Sequence, residues 1–296
     1  MDKDKIIKAG KIACQAKEYA KTIIKRGVPL LEIAEKIEEK IRELGGEPAF
    51  PVSLSINEIA AHYTPSHDEK TLARGLLKVD IGVHIGGWIT DTAFSLDLER
   101  GKESEENKKL IEASEKALES AVKTAKEGIS VREIGKKIQE TIESLGFSPI
   151  MNLSGHEIKQ HRIHAGLTIP NIDNKKNILL QKGVYAIEPF ATPGSGKVHD
   201  GNPSGIYILI NNKNIRSPIA RKVLKLIEEE YRTMPFCSRW IVKKAGTGAL
   251  IALRQLEQNG NLHHFPQLVE SSGGKVSQAE DTILIDEEGK IIVTRG

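Results

Sequence analysis

The stretch Lys78-Val-Asp-Ile-Gly-Val-His-Ile-Gly-Gly-Trp-Ile-Thr-Asp91 predicts a β-hairpin that carries two carboxylates on one face. Apolar residues alternate with Asp80 and Gly82, which is the two-residue period of a half-buried strand. Gly86-Gly87 is a two-residue hairpin turn signal, and such a turn sets Gly82 opposite Asp91. Asp80 and Asp91 are then diagonal neighbours, about 7–8 Å apart at the backbone. Gly82 has no side chain, so we expect room for an ion between them.

Acidic and imidazole side chains recur later in the chain, in stretches where an unpaired charge would be costly. His156 follows a glycine turn. Glu188 ends the alternation Val184-Tyr-Ala-Ile-Glu188, on a strand face that is otherwise apolar. Glu280 and Asp281 compete for one inward position, because alternation turns only one of them toward the interior.

These side chains have the charge and the donor atoms of a two-metal centre. Two surface aspartates beside a turn would account for Asp80 and Asp91 alone, but not for the later acids. Two divalent cations would neutralise four carboxylates, and imidazole is a common further ligand. We therefore predict a metal centre formed by five side chains: Asp80, Asp91, His156, Glu188 and Glu280.

Length and composition limit the class of protein. The chain has 296 residues, of which 39% are hydrophobic and 28% charged, as in a globular protein of one large or two ordinary domains. The net charge of +3 is too small to indicate general polyanion binding. Two cysteines exclude a disulfide scaffold and suit a reducing cytosol. We expect neither a signal peptide nor a membrane span, since no apolar run approaches about 20 residues.

A diverged repeat relates the first part of the chain to the second. One helix is predicted from about Asp4 to Arg26, and another follows it and ends at Gly45-Gly46. The sequence pattern of the second helix recurs 101 positions later. Gly27 is matched by Gly128, and the apolar residues on one face of the helix and the Leu-Gly pair at its end are repeated. Agreement in the turns as well as in the stripe favours duplication over chance.

The repeat and the hairpins together predict an α+β fold with two pseudo-symmetric halves, about residues 1–105 and 106–296, around a central cleft. We expect mainly antiparallel sheets that helices cover on one side. The segment from Val198 to Phe265 has no counterpart in the first half, and it contains predicted helices at Ile219–Arg232 and Gly248–Glu257. We interpret residues 198–265 as an inserted helical subdomain that walls one side of the cleft or docks a partner.

The chain resembles the methionine aminopeptidases over nearly its whole length. Single motifs are moderately specific, but their order and spacing together are highly specific. The segments that carry the resemblance are Ala49-Phe-Pro51, Ala60-Ala-His-Tyr-Thr-Pro65, Asp80 with Asp91, Ser154-Gly-His156, His164-Ala-Gly166, Ala186-Ile-Glu188 and Glu280-Asp-Thr-Ile283. The insertion makes the chain similar to type 2, the form of archaea and eukaryotes. No long charged N-terminal extension precedes the motifs, so we expect an archaeal-like member.

The resemblance implies the pita-bread fold, also called creatinase/aminopeptidase-like, as a single catalytic domain spanning 1–296. It implies a bridging water or hydroxide between two metals. Asp80 would chelate one metal, and Asp91 and Glu280 would bridge both. His156 and Glu188 would complete the second site.

Catalytic and substrate-binding roles are implied by the same positions. Glu188 would carry a proton from the water to the leaving amine. His62 and His164 would hydrogen-bond the substrate carbonyl and the tetrahedral intermediate. The methionine pocket would be lined by Phe50, Ile163, His62, His164 and, from the start of the insertion, His199.

The resemblance also implies cofactors and partners. Two divalent ions are expected, from Co, Mn, Fe, Ni or Zn, and a mostly oxygen ligand set favours Mn, Fe or Co over a purely structural zinc site. The substrates would be nascent polypeptide N-termini, met at the ribosome or after release, because only a chain terminus offers a free α-amine to a metal. A small second residue would be preferred. We expect a cytoplasmic monomer with no membrane and no direct nucleic-acid binding.

Three other interpretations were open on the sequence. An Xaa-Pro peptidase of the same fold usually carries an extra N-terminal domain, whereas 79 residues precede Asp80 and the repeat occupies much of them. A non-enzymatic protein on this fold, associated with ribosomes or nucleic acid, would lose metal ligands, and this chain keeps all five. A purely structural ion site would leave His62 and His164 without a role.

Overall fold

The computed structural model describes residues 1–295, in which helices alternate with antiparallel strands. The helices are α1 (Lys3–Ile23), α2 (Leu30–Glu43), α3 (Gly101–Thr124), α4 (Val131–Ser144), α5 (Pro218–Glu230), α6 (Ser238–Ala245) and α7 (Ala249–Gln258). The strands are β1 (Glu47–Pro48), β2 (Ser53–Ile56), β3 (Ile59–Ala61), β4 (Leu76–Ile85), β5 (Trp88–Asp97), β6 (Ser148–Pro149), β7 (Ser154–Ile158), β8 (Thr168–Pro170), β9 (Gly183–Ile187), β10 (Phe190–Thr192), β11 (Val198–Leu209), β12 (Phe236–Cys237), β13 (Leu262–Glu270), β14 (Ser277–Gln278), β15 (Asp281–Asp286) and β16 (Gly289–Ile292). Within this range no helix has the length and apolar content needed to cross a bilayer.

Strands β4 and β5 form the predicted hairpin. Gly82 faces Asp91 in the register, which confirms the two-residue turn. Val79 and Ile81 are buried in a core that α1 and α2 complete, so the opposite face of the strand carries Asp80. The strand begins two residues earlier than predicted, at Leu76, because this end of it is buried as well.

The two halves repeat the same local structure. Helices α2 and α4 each have 14 residues, and their first residues are 101 positions apart, as the repeat predicted. In the first half the N–H of Gly27 donates to the carbonyl of Ala73 at 2.8 Å, and in the second the N–H of Gly128 donates to Leu180 at 2.8 Å. Helix α1 ends three residues earlier than predicted, because Ile24 is already extended and leads into this turn.

Each half has its own hydrophobic core between helices and sheet. Helices α1 and α2 pack on β2, β4 and β5, and helices α3 and α4 pack on β8, β9 and β15. The halves join where the main chain of Ala93 in β5 exchanges two hydrogen bonds with Glu280, at 3.0 and 3.3 Å. This junction brings the middle of the first sheet beside a residue from the far end of the sequence.

The insertion is more β-rich than predicted. Helices α5 and α7 lie within two residues of their expected bounds, but the segment begins with the 12-residue strand β11 and ends inside β13. The expectation of a helical subdomain is therefore wrong at both ends. Tyr207 and Leu262 are buried on these strands, against α5–α7. Strand β13 also pairs with β3, with Leu268 opposite Ala61, so the inserted strands extend the first half.

Candidate metal centre

The hairpin places Asp80 and Asp91 on the face turned away from α1 and α2. Both side chains line a cavity of about 380 Å³. A Cβ atom on Gly82 would lie 2.2 Å from the ring of Phe50, so the missing side chain makes room for that ring. The expectation that Gly82 leaves space for an ion is therefore wrong. Phe50 occupies that space and forms part of the cavity wall.

Strands β7 and β9 bring His156 and Glu188 to the same cavity. His156 is paired with Ala186 in the register of the two strands, and Glu188 directly follows the last residue of β9. The Nε2 atom of His156 lies 3.6 Å from Oδ2 of Asp91 and 3.5 Å from Oε1 of Glu188. One imidazole nitrogen thus faces carboxylates from both halves of the chain.

Glu280, and not its neighbour Asp281, faces the cavity. Glu280 lines the cavity and is held there by its main-chain pairing with Ala93. Asp281 points elsewhere, where its carboxylate accepts hydrogen bonds from the Thr294 hydroxyl at 2.9 Å and from Nε of Arg295 at 2.5 Å. The competition between the two acids, which the sequence left open, is settled by strand alternation.

The cavity acids have the unfilled bonding capacity that a cation would satisfy. Asp91, His156 and Glu280 each offer one ligand atom, and these three atoms lie within 4.8 Å of one another. Among residues 1–295, the buried oxygens Oδ1 of Asp80, Oδ1 of Asp91 and Oε1 of Glu280 have no hydrogen-bond partner. Buried acceptors without partners are costly, so the donor set fits divalent cations.

Burial raises the pKa of all four carboxyl groups at the site. It raises the pKa of Asp91 to about 7. The pKa values of Asp80, Glu188 and Glu280 lie well above the usual range, through burial first and then through the negative charge of Asp91. Burial lowers the pKa of His156 to about 4, so its imidazole is neutral at pH 7, which is the form that binds metals.

A divalent metal is expected to raise the Tm of the protein, and the rise should grow as the pH increases from about 4 to 7. A carboxyl group whose pKa is raised on folding keeps its proton where the unfolded chain, with a pKa of about 4, has lost it. Folding without metal therefore becomes less favourable as the pH rises from about 4 toward the pKa of about 7 of Asp91. Bound metal removes that penalty because it coordinates the ionised groups. Calorimetry with and without Mn at about pH 5 and pH 7.5 checks this; an equal rise at both would contradict it.

His62 and His164 both line the cavity. His62 has a φ of 63°, a strained conformation for a residue other than glycine, and its Nδ1 lies 3.3 Å from the carbonyl oxygen of Pro266. Burial, and then the neighbouring His164, lower its pKa to about 4. The His164 ring meets His156 edge-on, with 4.5 Å between centroids, and is itself exposed to the cavity. Both imidazoles can therefore hydrogen-bond a molecule bound beside the acids.

Apolar side chains form the rest of the wall. Phe50 and Ile163 line the cavity, whereas His199 is exposed and is not among the lining residues. The insertion contributes side chains that sequence reasoning missed, namely Ile206, Pro235, Phe265 and, from the part of β13 beyond it, Leu268. The apolar run Ile206-Tyr-Ile-Leu-Ile210 was a signal for the strand that carries Ile206, but no periodic pattern marks the other three residues.

Thr282 is a second feature that sequence reasoning missed. Its hydroxyl donates to the carbonyl of Asp91 at 2.7 Å and accepts from the N–H of Asp91 at 2.8 Å. It thereby fixes the main chain that carries a candidate metal ligand, although the two residues are 191 positions apart. No local pattern links them, because the contact exists only once the halves are joined.

Comparison with solved structures shows where this architecture occurs. The fold superposes on a thermophilic Arx1 with a TM-score of 0.84 at 16% identity, over 99% of this chain and 90% of the other. It superposes on methionine aminopeptidase from Thermotoga maritima with a TM-score of 0.70 at 23% identity, over 99% and 96%. At these identities the likeness establishes the fold, which confirms the predicted pita-bread architecture.

Sequence comparison gives a closer match. Residues 4–287 match the profile of metallopeptidase family M24. A methionine aminopeptidase of Pyrococcus horikoshii is 47% identical over 299 aligned positions, which cover 99% of this chain and 100% of the relative. The aligned region therefore spans both halves, the insertion and the positions of the five candidate ligands.

Proposed function

The chain belongs to metallopeptidase family M24 and to its methionine aminopeptidases, and we propose that it removes the N-terminal methionine of nascent proteins and peptides with two divalent metal ions. One observation carries the proposal: five candidate metal ligands from both halves meet on the wall of a partly apolar cavity. They are Asp80, Asp91, His156, Glu188 and Glu280. The cavity thus offers hydrolytic groups beside space for an apolar side chain.

The five side chains suit two divalent ions in donor type and in charge. Asp80, Asp91, His156, Glu188 and Glu280 would hold the two ions. Asp80 would serve as a chelating ligand, Asp91 and Glu280 would be shared by both ions, and His156 and Glu188 would complete the set. Bound ions of this kind lower the pKa of water, so that hydroxide exists near neutral pH, and they polarise a carbonyl oxygen. The oxygen-rich set favours Mn, Fe or Co, with Ni and Zn as further candidates.

Glu188 is the proposed proton carrier. Its carboxylate can accept a proton from the attacking water and return it to the leaving amine. Its side chain keeps 14% of its surface exposed, compared with 6% for Asp91, so it is the more accessible of the two to a bound substrate. Its Oε1 remains 3.5 Å from His156, within the ligand group.

His164→Ala is expected to lower kcat by about 100-fold while the bound metal stays unchanged. His164 touches His156 through ring packing, and its exposed imidazole is free to hydrogen-bond the substrate carbonyl. Turnover and metal content measured on the same sample check this. His67→Ala is the matched control, because His67 lies outside the cavity beside Asp68. If the variant lost bound metal in the same proportion as it lost activity, His164 would be a metal ligand instead.

The cavity supports the proposed selectivity. A free α-amine would bind at the metal centre, which only a chain terminus can offer. The flexible, apolar methionine side chain would lie among Phe50, Ile163 and the walls from the insertion. A cavity of about 380 Å³ is at the small end for ligand sites, so little space is left for a large second side chain. We therefore propose a preference for Gly or Ala as the second residue.

A peptide panel tests this function against the alternatives. It contains Met-Gly and Met-Ala peptides, a Met-Leu peptide, an N-acetylated Met-Ala peptide and an Ala-Pro peptide. We expect methionine release from Met-Gly and Met-Ala, little from Met-Leu and none from the blocked peptide. Cleavage of the Ala-Pro peptide would indicate an Xaa-Pro peptidase, and metal binding without any cleavage would indicate a non-enzymatic protein.

The proposed partners follow from the substrate. Initiator methionines arise on nascent chains, so we place the reaction in the cytoplasm, at the ribosome or after release. All five candidate ligands and both histidines come from one chain, and we propose that a monomer is active. The proposal involves no contact with nucleic acid.

A further inference from the structure

A buried ion pair joins the insertion to the first half of the chain. The two terminal guanidinium nitrogens of Arg239, in α6, donate to the carboxylate of Glu38, in α2, at 2.7 and 2.8 Å. The two residues are 201 positions apart, and each side chain is only 3% exposed. The neighbouring Trp240 adds a hydrogen bond from its Nε1 to the same carboxylate at 2.8 Å. Such a bidentate pair fixes the relative orientation of the two side chains as well as the distance between them.

The pair also contacts the segment that follows His62. Nε of Arg239 donates to the carbonyl of Pro65 at 3.2 Å, so the third guanidinium nitrogen is used as well. The hydroxyl of Thr64 donates to the carbonyl of Val52 at 2.9 Å. Helix α2, the Val52 segment and the His62–Pro65 segment are thus connected to the insertion at one point.

Each connected segment carries part of the cavity wall. Phe50 lies two residues before Val52, and His62 lies three residues before Pro65. On the insertion, Pro235 lies four residues before Arg239, and Ile206 is paired with Cys237 across β11 and β12. Phe50, His62, Pro235 and Ile206 all line the cavity, whereas Glu38 and Arg239 do not.

We propose that Glu38 and Arg239 are positioning residues that set the width of the methionine pocket by fixing the insertion against the first half. A buried ion pair contributes little net stability relative to apolar packing, so a role in holding one specific arrangement accounts for its presence. Neither residue touches the cavity, and each acts through the segments it joins. This inference rests on the proposed function, since it concerns the selectivity of the same cavity.

The test uses Arg239→Lys, which keeps the charge but loses the planar fork, and Glu38→Gln, which keeps the shape but loses the charge. Arg132→Lys is the control for the loss of a bidentate pair, because Arg132 bonds Asp173 through two nitrogens, at 2.6 and 3.0 Å, at a more exposed site away from the cavity. Steady-state kinetics of the Mn-loaded full chain would compare Met-Ala and Leu-Ala peptides. Hydrogen exchange of the metal-free chain would report the amides of residues 62–64, which precede Pro65.

Arg239→Lys and Glu38→Gln are each expected to raise KM for the Met-Ala peptide by about fivefold or more with kcat nearly unchanged, because binding of the methionine side chain is weakened. The preference for Met over Leu should fall by a similar factor, and amide hydrogen exchange at residues 62–64 should become faster. The control should change none of these. If Arg239→Lys fails to fold, the same measurements on Glu38→Gln test the proposal.

The proposal would be overturned by a folded variant whose KM, preference for Met over Leu and hydrogen exchange all equal those of the wild type. Failure of the wild-type chain to release methionine would instead refute the proposed function. In that case the exchange measurement still decides whether the pair holds the cavity wall.

Discussion

Asp91→Asn is expected to lower kcat/KM for a Met-Ala peptide by about 1,000-fold or more. Residues that merely support metal ligands cost about 10- to 100-fold when replaced, and Asp91 is itself the central candidate ligand. One of its oxygens lies within 4.8 Å of ligand atoms on both His156 and Glu280. Asparagine keeps the shape of the side chain but carries no charge and cannot bridge two cations. Activity and bound metal should fall together.

The fold of this variant should survive, because the charge it removes is unfavourable without metal. Burial already raises the pKa of Asp91 to about 7, so the metal-free protein tolerates a neutral group there. Its Tm without metal is expected to equal or exceed that of the wild type. Asp286→Asn is the control, since Asp286 pairs with Lys3 at 2.8 Å outside the cavity. Full activity of Asp91→Asn in folded protein would refute the bridging role.

Glu188→Gln is expected to lower kcat by about 100- to 10,000-fold, the range typical of a lost general acid–base group. Glutamine can still offer an oxygen at this position but cannot accept and release a proton. Three clustered groups, Asp91, His156 and Glu280, remain to hold metal. The variant should therefore keep more metal than Asp91→Asn while losing most turnover.

The measurement that separates these roles is the pH dependence of kcat in metal-saturated protein. The part of the pH profile in which kcat rises as the base loses its proton should disappear in Glu188→Gln. Glu157→Gln is the control, because Glu157 lies on the adjacent strand β7 and its carboxylate pairs with Lys159 at 2.8 Å. An unchanged profile with reduced metal content would mean that Glu188 serves only as a ligand.

The sequence was most informative where contacts are local. The hairpin register that sets Gly82 opposite Asp91 follows from a two-residue turn, and the structure confirms it. The equal lengths of α2 and α4 follow from a repeat that is visible in the printed residues. In both cases the spacing of apolar residues and the residues of the turn act over short distances along the chain. The local sequence therefore contains the necessary information.

The sequence was least informative where distant segments meet. The space above Gly82 depends on where the Phe50 ring lies, and that ring arrives from another segment. The contact of Thr282 with the main chain of Asp91 exists only after the two halves pair through Ala93 and Glu280. Likewise, no local pattern connects Glu38 with the insertion. Such contacts are decided by tertiary packing, which a period of two or 3.6 residues does not encode.

The central claim is that bound divalent metal at the five ligands enables release of an unblocked N-terminal methionine. The most direct test is to strip the protein of metal and to assay free methionine from a Met-Ala peptide after restoring Mn, Co, Fe, Ni or Zn in turn. We predict no release from the stripped protein and restored release with at least one metal, with the N-acetylated peptide uncleaved throughout. Methionine release by fully stripped protein, or no release with any metal, would contradict the account.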